Sequence, residues 1–322
     1  MTVHQPTIKQ LQYLVALREH GHFGRAADSC YVTQSTLSAG LRELETLLGV
    51  TLVERTRRVV RFTALGEKVA DKAVRVLREA EELAEMARAN GKPLHGDLRL
   101  GVIPTIAPFL LPAMLPRLRA EWPSLKLYLR EETSQAACEA LHRGQLDCVL
   151  LALPYGCGEV DSAELFDDPL FVAFPSGEAP SGTSIDVGAI DENRMLLLED
   201  GHCLKDHALS ACNRPELRAH AAMMGTSLHT LVQMVDNGLG VTFIPQMAVE
   251  AGILEGTKVE ARRLRSSHGF RRIALIWRRS SAREAEFQML ASTLRRIMRD
   301  LNPELKAVEP AGRQTVPIEI FG

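Results

Sequence analysis

A chain of 322 residues with 46% hydrophobic and 24% charged content has room for two or three domains with cores of their own and the composition of an ordinary soluble protein. The net charge of −2 excludes a uniformly basic molecule, but residues 1–64 carry eight Lys or Arg against five Asp or Glu, a net of +3 that leaves −5 for the remainder; any nucleic-acid contact is expected at the N-terminus. Six cysteines, no signal-peptide pattern and apolar runs broken by Pro108, Pro112 and Pro116 point to a cytoplasmic chain that does not span a membrane.

Residues 7–20 form the first expected helix, capped by Thr7, with Ile8, Leu11, Leu14, Val15 and Leu17 on its apolar side and Gly21 as its stop. A second helix covers 23–30 through Phe23, Ala26 and Ala27. Tyr31 and Val32 turn the chain, and Thr33 or Ser35 opens a third helix through Leu37, Leu41, Leu44, Leu47 and Leu48, stopped by Gly49. This is a helix-turn-helix order. Segments 50–54 and 59–63 alternate like a hairpin whose tip presents Arg55, Arg57 and Arg58, a basic wing. Gln34, Ser35, Thr36 and Ser38, with Thr33 and Arg42 beside them, put short hydrogen-bonding groups where a recognition helix reads base edges, and the wing arginines suit phosphates. A plain three-helix bundle with a solvated polar face is the structural alternative.

From Thr63 a long helix is expected to about residue 90, with Leu65, Val69, Ala73, Val76, Ala80, Leu83 and Ala87 recurring at helical steps; such a seam wants a partner helix. Residues 1–64 thus read as a winged helix-turn-helix domain, 65–90 as a dimerisation helix and 91–96 as a hinge. Residues 97–302 read as α/β. Strands near 97–102, 125–131 and 148–152 alternate with helices from 108 and from Thr133 or Ser134, which implies a mostly parallel sheet. A second lobe has strands near 170–174, 195–199, 220–223 and 240–244 and a helix over 227–237. A late strand, 272–277, and a helix, 283–299, return to the first lobe. Lobe I is then about 97–164 with 268–302, lobe II about 165–267, and 303–322 a loose tail.

Within lobe II, Cys203 and Cys212 bracket a stretch without Gly or Pro that favours helix. Nine helical residues advance about 13.5 Å and turn through about 900°, which leaves the two thiols on opposite faces. A disulfide needs Cα atoms about 4.4–6.8 Å apart. A helical 204–212 and a Cys203–Cys212 bond therefore exclude each other, and the pair is a candidate redox switch. Gly201 allows a sharp entry, and the helix start, His202, Lys205 and His207 are candidates to favour a thiolate. The competing reading is that both cysteines are small hydrophobes. Cys30, Cys138 and Cys148 are expected in the core and Cys157 exposed. No metal or cofactor is expected, since no C-x-x-C or H-E-x-x-H spacing occurs.

The run Phe23-Gly24-Arg25-Ala26-Ala27, Thr33-Gln34-Ser35-Thr36-Leu37-Ser38, Leu41-Arg42-Glu43-Leu44-Glu45 and Leu48-Gly49-Val50-Thr51-Leu52-Val53-Glu54-Arg55 resembles the LysR-type transcriptional regulators. Gly40 departs from the pattern and is expected to loosen the recognition helix. The resemblance implies an N-terminal winged helix-turn-helix, a linker helix and a two-lobed effector domain of periplasmic-binding-protein type. It also implies a homodimer or homotetramer on two DNA half-sites. Gly101-Val102-Ile103-Pro104-Thr105, residues 146–153 and Glu199-Asp200-Gly201-His202-Cys203-Leu204 with Asp206 and Cys212 are similar to the hydrogen-peroxide-sensing members of that family. That likeness makes Cys203 the peroxidatic thiol and Cys212 the resolving one. It nominates Thr105, Ser134 (where Thr is expected), His202 and Asp206 to hold peroxide, and Arg271, with Arg272 adjacent, to supply positive charge. RNA polymerase, a cellular thiol reductant and oxidative-stress defence genes come with it. The other readings are a LysR-type regulator of a small organic effector with inert cysteines, and a thiol peroxidase, which would not need the helix-turn-helix.

Overall fold

The structure, a computed structural model, describes residues 5–55, 60–89, 93–211, 224–267 and 269–301. They form two compact units, one built on residues up to 91 and one on 92–142 and 146 onward.

In the first unit α1 (Ile8–His20) starts with a capping box, Thr7 accepting from the Gln10 N–H while the Gln10 side chain accepts from the Thr7 N–H. Two orphan amides are thereby satisfied reciprocally. α2 (Phe23–Ser29) follows, and α3 (Gln34–Leu48) is capped by Thr33 and ended by Gly49 in the left-handed region. Leu14, Leu17, Leu37, Leu41 and Leu44 pack between the three helices with almost no exposure. Gly40 does not loosen α3. A Cβ there would lie 2.8 Å from the Tyr13 ring, so glycine lets α3 approach α1. The antiparallel wing, β1 (Val53–Arg55) and β2 (Val60–Phe62), is anchored by Glu45 of α3, which accepts from the Leu52 N–H at 2.8 Å and the Val53 N–H at 3.1 Å. α4 (Ala64–Ala89) buries Ala70 and Ala73 and pairs Asp71 with Arg18 at 2.7 Å. Of the expected seam, Leu65, Val76 and Leu83 are exposed.

The second unit runs β3 (Gly96–Val102), α5 (Ala107–Glu121), β4 (Leu125–Glu131), α6 (Ser134–His142), β5 (Cys148–Leu153), β6 (Val160–Phe174), β7 (Ser184–Asp186), β8 (Met195–Leu198), α7 (Cys203–Ala211), β9 (Met224–Gly225), α8 (Leu228–Asp236), β10 (Val241–Pro245), α9 (Gln246–Glu250), β11 (Glu260–Arg265), β12 (Phe270–Arg278) and α10 (Glu284–Leu301). The sheet order is β4-β3-β5-β12-β6-β10-β8-β9. β3 is parallel to β4 and β5, whereas β12 is antiparallel to β5 and β6. β6 is shared: residues 160–169 pair with β12, and 170–174 with β10 and β11. Two apolar cores sit on either side, one on β3, β5, β12 and α10, the other on β8, β10 and α8. Phe109 of α5 stacks on His229 of α8 at 5.8 Å, bridging them.

Two differences from the sequence reading have physical causes. The strand expected at 170–174 is the end of a 15-residue strand whose first half, rich in Asp and Glu, hides its pattern because Glu164 and Asp167 pair with Arg272 of β12. β11, half arginine, is not among the expected strands because its charges hide the apolar alternation of a strand. The strand expected at 220–223, and the tail from 303, lie outside the described residues.

Gly66 of α4 is buried under the wing, and a Cβ there would come within 2.0 Å of the Leu52 carbonyl oxygen, which accepts from the Thr63 N–H at 2.9 Å. Backbone cannot yield as a side-chain tip does. Gly66→Ala should destabilise the first unit by about 3 kcal/mol, lowering the first thermal-unfolding transition of the full chain; an unchanged transition would contradict the packing described.

Candidate nucleic-acid interface and redox site

The start of α3 exposes Gln34, Ser35 and Thr36, while Ser38 is half-buried. Thr33 Oγ1 accepts from the Thr36 N–H at 3.2 Å and lies 2.9 Å from Ser35 Oγ and 2.8 Å from Thr36 Oγ1. The Thr33 hydroxyl is therefore committed to the cap, and its neighbours present the freer groups. Arg42 is exposed, with Nε donating to the Ser38 carbonyl at 3.3 Å. Arg55 belongs to β1, but its side chain, like all of Arg57 and Arg58, lies outside the described residues. Tyr31, 96% exposed with a φ of 55°, projects just before α3. Sequence reading missed it; an aromatic before a helix cap carries no distinguishing pattern.

Cys203 is the first residue of α7, a free thiol that is buried. The helix covers Cys203–Ala211, one residue earlier than expected, and Cys212 lies outside the described residues. Gly201, at φ 91°, makes the turn into α7, and its carbonyl accepts from the Gln135 N–H at 3.2 Å. This sets the start of α7 against the start of α6. There Thr133, not Ser134, is the cap: Thr133 Oγ1 accepts from the Ala136 N–H at 3.4 Å. The buried Ser134 is left to accept from the Cys203 N–H at 3.2 Å. Thr105 caps nothing either, since α5 has no side-chain cap. Its Oγ1 accepts from Arg271 Nη1 at 2.7 Å and its carbonyl from Nη2 at 2.8 Å.

Arg271 has no exposure and reaches Asp168, equally buried, through Nε at 3.0 Å and Nη2 at 2.9 Å. Asp168 also accepts from the Met247 N–H at 3.0 Å. Burial pushes the Asp168 carboxyl up, against the pull of the Arg271 charge and that amide. Arg272, one residue on, bonds Asp167 at 2.8 Å and Glu164 at 3.1 Å instead. Strand alternation thus puts Arg271 alone of the two beside the thiol.

The electrostatics differ from expectation. Burial pushes the Cys203 thiol above its ordinary value; the Ser134 hydroxyl, the Arg271 charge and a backbone hydrogen bond from Ala152 pull it down, and the Asp206 carboxylate pushes it up. Asp206, in the first turn of α7, is close enough to act on both Cys203 and Tyr155, whose phenol is pushed up to about 12, chiefly by burial. The three expected cations do not serve. Burial lowers His202, opposed by Glu199. It holds His207 down at about 4, helped by Arg271 and opposed by the hydrogen bond to Pro154, so both rings are neutral at pH 7. Lys205 is paired with Asp200 at 2.7 Å. A count of local charges cannot see desolvation.

His207 Nε2 lies 3.0 Å from the Pro154 carbonyl oxygen, which can only accept, so Nε2 carries the proton. Its bare Nδ1 is buried without a hydrogen-bond partner among the described residues. Two further cysteines depart from the reading. Cys138 of α6 and Cys157 of the loop after β5 form a disulfide, with Cα atoms 5.4 Å apart, and Cys157 is buried, not exposed. Cys148 is buried and Cys30 half-buried, both free. Among the described residues no His, Cys, Asp and Glu cluster could hold a metal, and no helix is long and apolar enough to cross a membrane.

Known proteins resemble most of the chain. The family described as the LysR substrate binding domain matches residues 91–299, and the bacterial regulatory helix-turn-helix protein of the lysR family matches residues 8–67. The HTH-type transcriptional regulator EstR of Acinetobacter baylyi is 40% identical over 92% of this chain and 99% of its own. The DNA-binding transcriptional dual regulator OxyR of Escherichia coli is 39% identical over 90% and 95%. Among solved structures, a single-substitution variant of full-length OxyR from Pseudomonas aeruginosa superposes with a TM-score of 0.74 at 35% identity, covering 91% of this chain and 95% of that one. A hydrogen-peroxide-bound mutant of Corynebacterium glutamicum OxyR gives 0.62 at 32% identity, covering 92% and 94%. A helix-turn-helix unit and a two-lobed α/β unit, matched along nearly their whole length, make this chain a member of the LysR family of DNA-binding transcriptional regulators, homologous to OxyR.

Proposed function

We propose that the chain is a cytoplasmic transcriptional regulator that senses hydrogen peroxide through Cys203 and Cys212 and controls oxidative-stress defence genes. The observation that carries this reading is the placement of Cys203: a free thiol opening α7, hydrogen-bonded at its amide by Ser134, under the charge of Arg271, with Cys212 one residue past the helix. The thiolate attacks one peroxide oxygen, the O–O bond breaks, and the leaving hydroxide is protonated to water, giving a sulfenic acid. The Cys212 thiol then attacks the Cys203 sulfur, forming the disulfide and releasing a second water. A cellular thiol reductant reverses the bond. Thr105, Ser134, His202, Asp206 and Arg271 form the peroxide-binding set. Because burial disfavours the thiolate, the reaction is gated by opening or by peroxide itself reaching the buried sulfur.

The bond cannot close over an intact Cys203–Ala211 helix, so α7 must unwind, and that refolding is the signal passed to the DNA-bound unit. The exposed Leu65, Val76 and Leu83 of α4 support pairing with a second copy, which suits two half-sites. A homotetramer and contact with RNA polymerase follow from the same reading. The second reading, an organic-effector regulator with inert cysteines, is favoured by the equal likeness to EstR.

DNase footprints of reduced and peroxide-treated protein should differ in extent, with loss of two thiols per chain, and Cys203→Ser should abolish both changes; unchanged thiols would favour the second reading. Replacing Arg55, Arg57 and Arg58 with Ala should weaken all sequences alike and flatten the salt dependence by about one unit for each phosphate no longer neutralised. The site also has a pH signature. His207 is neutral in the fold down to about pH 4 against an ordinary value of 6.5, so below 6.5 the unfolded chain binds a proton that the folded chain refuses. Stability from this group is complete above about pH 6.5 and lost as pH falls toward 4, by about 3 kcal/mol, with His202 shifted in the same direction. Urea midpoints should fall more steeply between pH 6.5 and 4.5 in the native protein than in His207→Gln; parallel curves would contradict a buried neutral ring.

A further inference from the structure

Two segments hold the first turns of α7. One is α6, whose Ser134 accepts from the Cys203 N–H at 3.2 Å. The other is the loop after β5, where the Pro154 carbonyl accepts from His207, one turn along α7 from Cys203, at 3.0 Å. Cys138 stands four residues after Ser134, on the same face of α6, and Cys157 three residues after Pro154. Their disulfide therefore ties together the two supports of the Cys203 turn. A second fastening lies at the far end of α6, where His142 Nε2 meets the Cys157 carbonyl at 2.5 Å. Neither sulfur takes part in the Cys203–Cys212 chemistry, and a DNA-binding regulator works in a compartment where small thiols keep most cysteines reduced. A bond there is open to exchange with that thiol pool.

We propose that Cys138 and Cys157 are a reversible thiol couple, closed by small-molecule disulfides of the glutathione type, that locks the supports of Cys203. The thiolate of Cys157, whose neighbours Gly156 and Gly158 are exposed, attacks one sulfur of the small disulfide, expelling a small thiolate and forming a mixed disulfide. The Cys138 thiolate then attacks the Cys157 sulfur, expels the second small thiolate and closes the bond. Two electrons pass from the cysteine pair to the small disulfide, and the two protein protons leave on the released thiols. Excess small thiol runs the exchange backwards. Closed, the couple fixes α6 to the loop and both to α7; open, the loop can withdraw Pro154 from His207, and α7 unwinds more readily. The regulator would then respond to the thiol–disulfide balance by a route separate from peroxide, with the closed couple slowing the refolding of α7. This last consequence rests on the sensor reading above, whereas the lock itself does not.

The test uses the full chain carrying Cys212→Ser, so that Cys203 cannot form its own bond, equilibrated across glutathione/glutathione disulfide ratios. Peptide mapping after acid quench and alkylation should show Cys138 and Cys157 losing their thiols together as a cross-linked peptide appears. Hydrogen exchange of the 203–211 amides, compared between closed and thiol-opened samples, should be about tenfold faster in the open form. The Cys138→Ser/Cys157→Ser double variant should exchange like the open form at every ratio. A pair that remains a dithiol at all ratios, or a closed pair with unchanged α7 exchange, overturns the proposal. In the unsubstituted chain the open form should consume peroxide at Cys203 faster. If α7 exchange obeys the couple but Cys203 ignores peroxide in both forms, the sensor reading fails and the lock stands.

Discussion

A guanidinium cannot be left unpaired in a protein interior, and the second unit is arranged around one that has no exposure at all, Arg271. Its donors go to Asp168 on the shared strand β6 and to Thr105 after β3, while Asp168 takes a further hydrogen bond from the first amide region of α9. Strands of one core, the crossing strand and a helix of the other are thereby tied to one charge. Removing either ionic partner would leave the other buried and uncompensated, a loss of about 3–5 kcal/mol. The same charge lies near the Cys203 thiol and lowers it against burial. The pin that joins the lobes is also the source of positive potential at the Cys203 thiol.

That double use explains the character of the thiol. Cys203 is not an exposed, ready nucleophile. It is buried at the head of α7, its amide held by Ser134, with two neutral histidines and an acid nearby. In the proposed sensor, reaction requires a small oxidant that reaches the buried sulfur or a helix that opens. Both favour a sensor that fires on a specific stimulus over a general scavenger with many turnovers. In the proposed mechanism, oxidation meets the geometric exclusion between a coiled α7 and a bond from Cys203 to Cys212, which would convert a chemical event into a change of backbone.

Much of the first unit was legible in the sequence because its determinants are local. Thr7, Thr33 and Thr63 cap helices within three residues of themselves, and Gly21 and Gly49 stop them. What escaped depends on residues far apart. Gly40 makes sense only when α3 lies on Tyr13. Asp168 becomes the partner of Arg271 only through the β6–β12 register, which also separates Arg271 from Arg272. Cys138 and Cys157, nineteen residues apart, meet because α6 packs beside the loop after β5. In the site, residue types were legible and their protonation was not. His202 and His207 look like cations in a sequence and are neutral once buried.

The claim beneath the functional account is conformational: α7 is the part that oxidation must undo. Its most direct test is the crystal structure of the full chain after peroxide treatment, set beside the reduced form. The account predicts a bond between Cys203 and Cys212 with their Cα atoms within about 7 Å and residues 203–211 no longer helical. A peroxide-treated chain whose backbone from 201 to 211 superimposes on the helical form would contradict it.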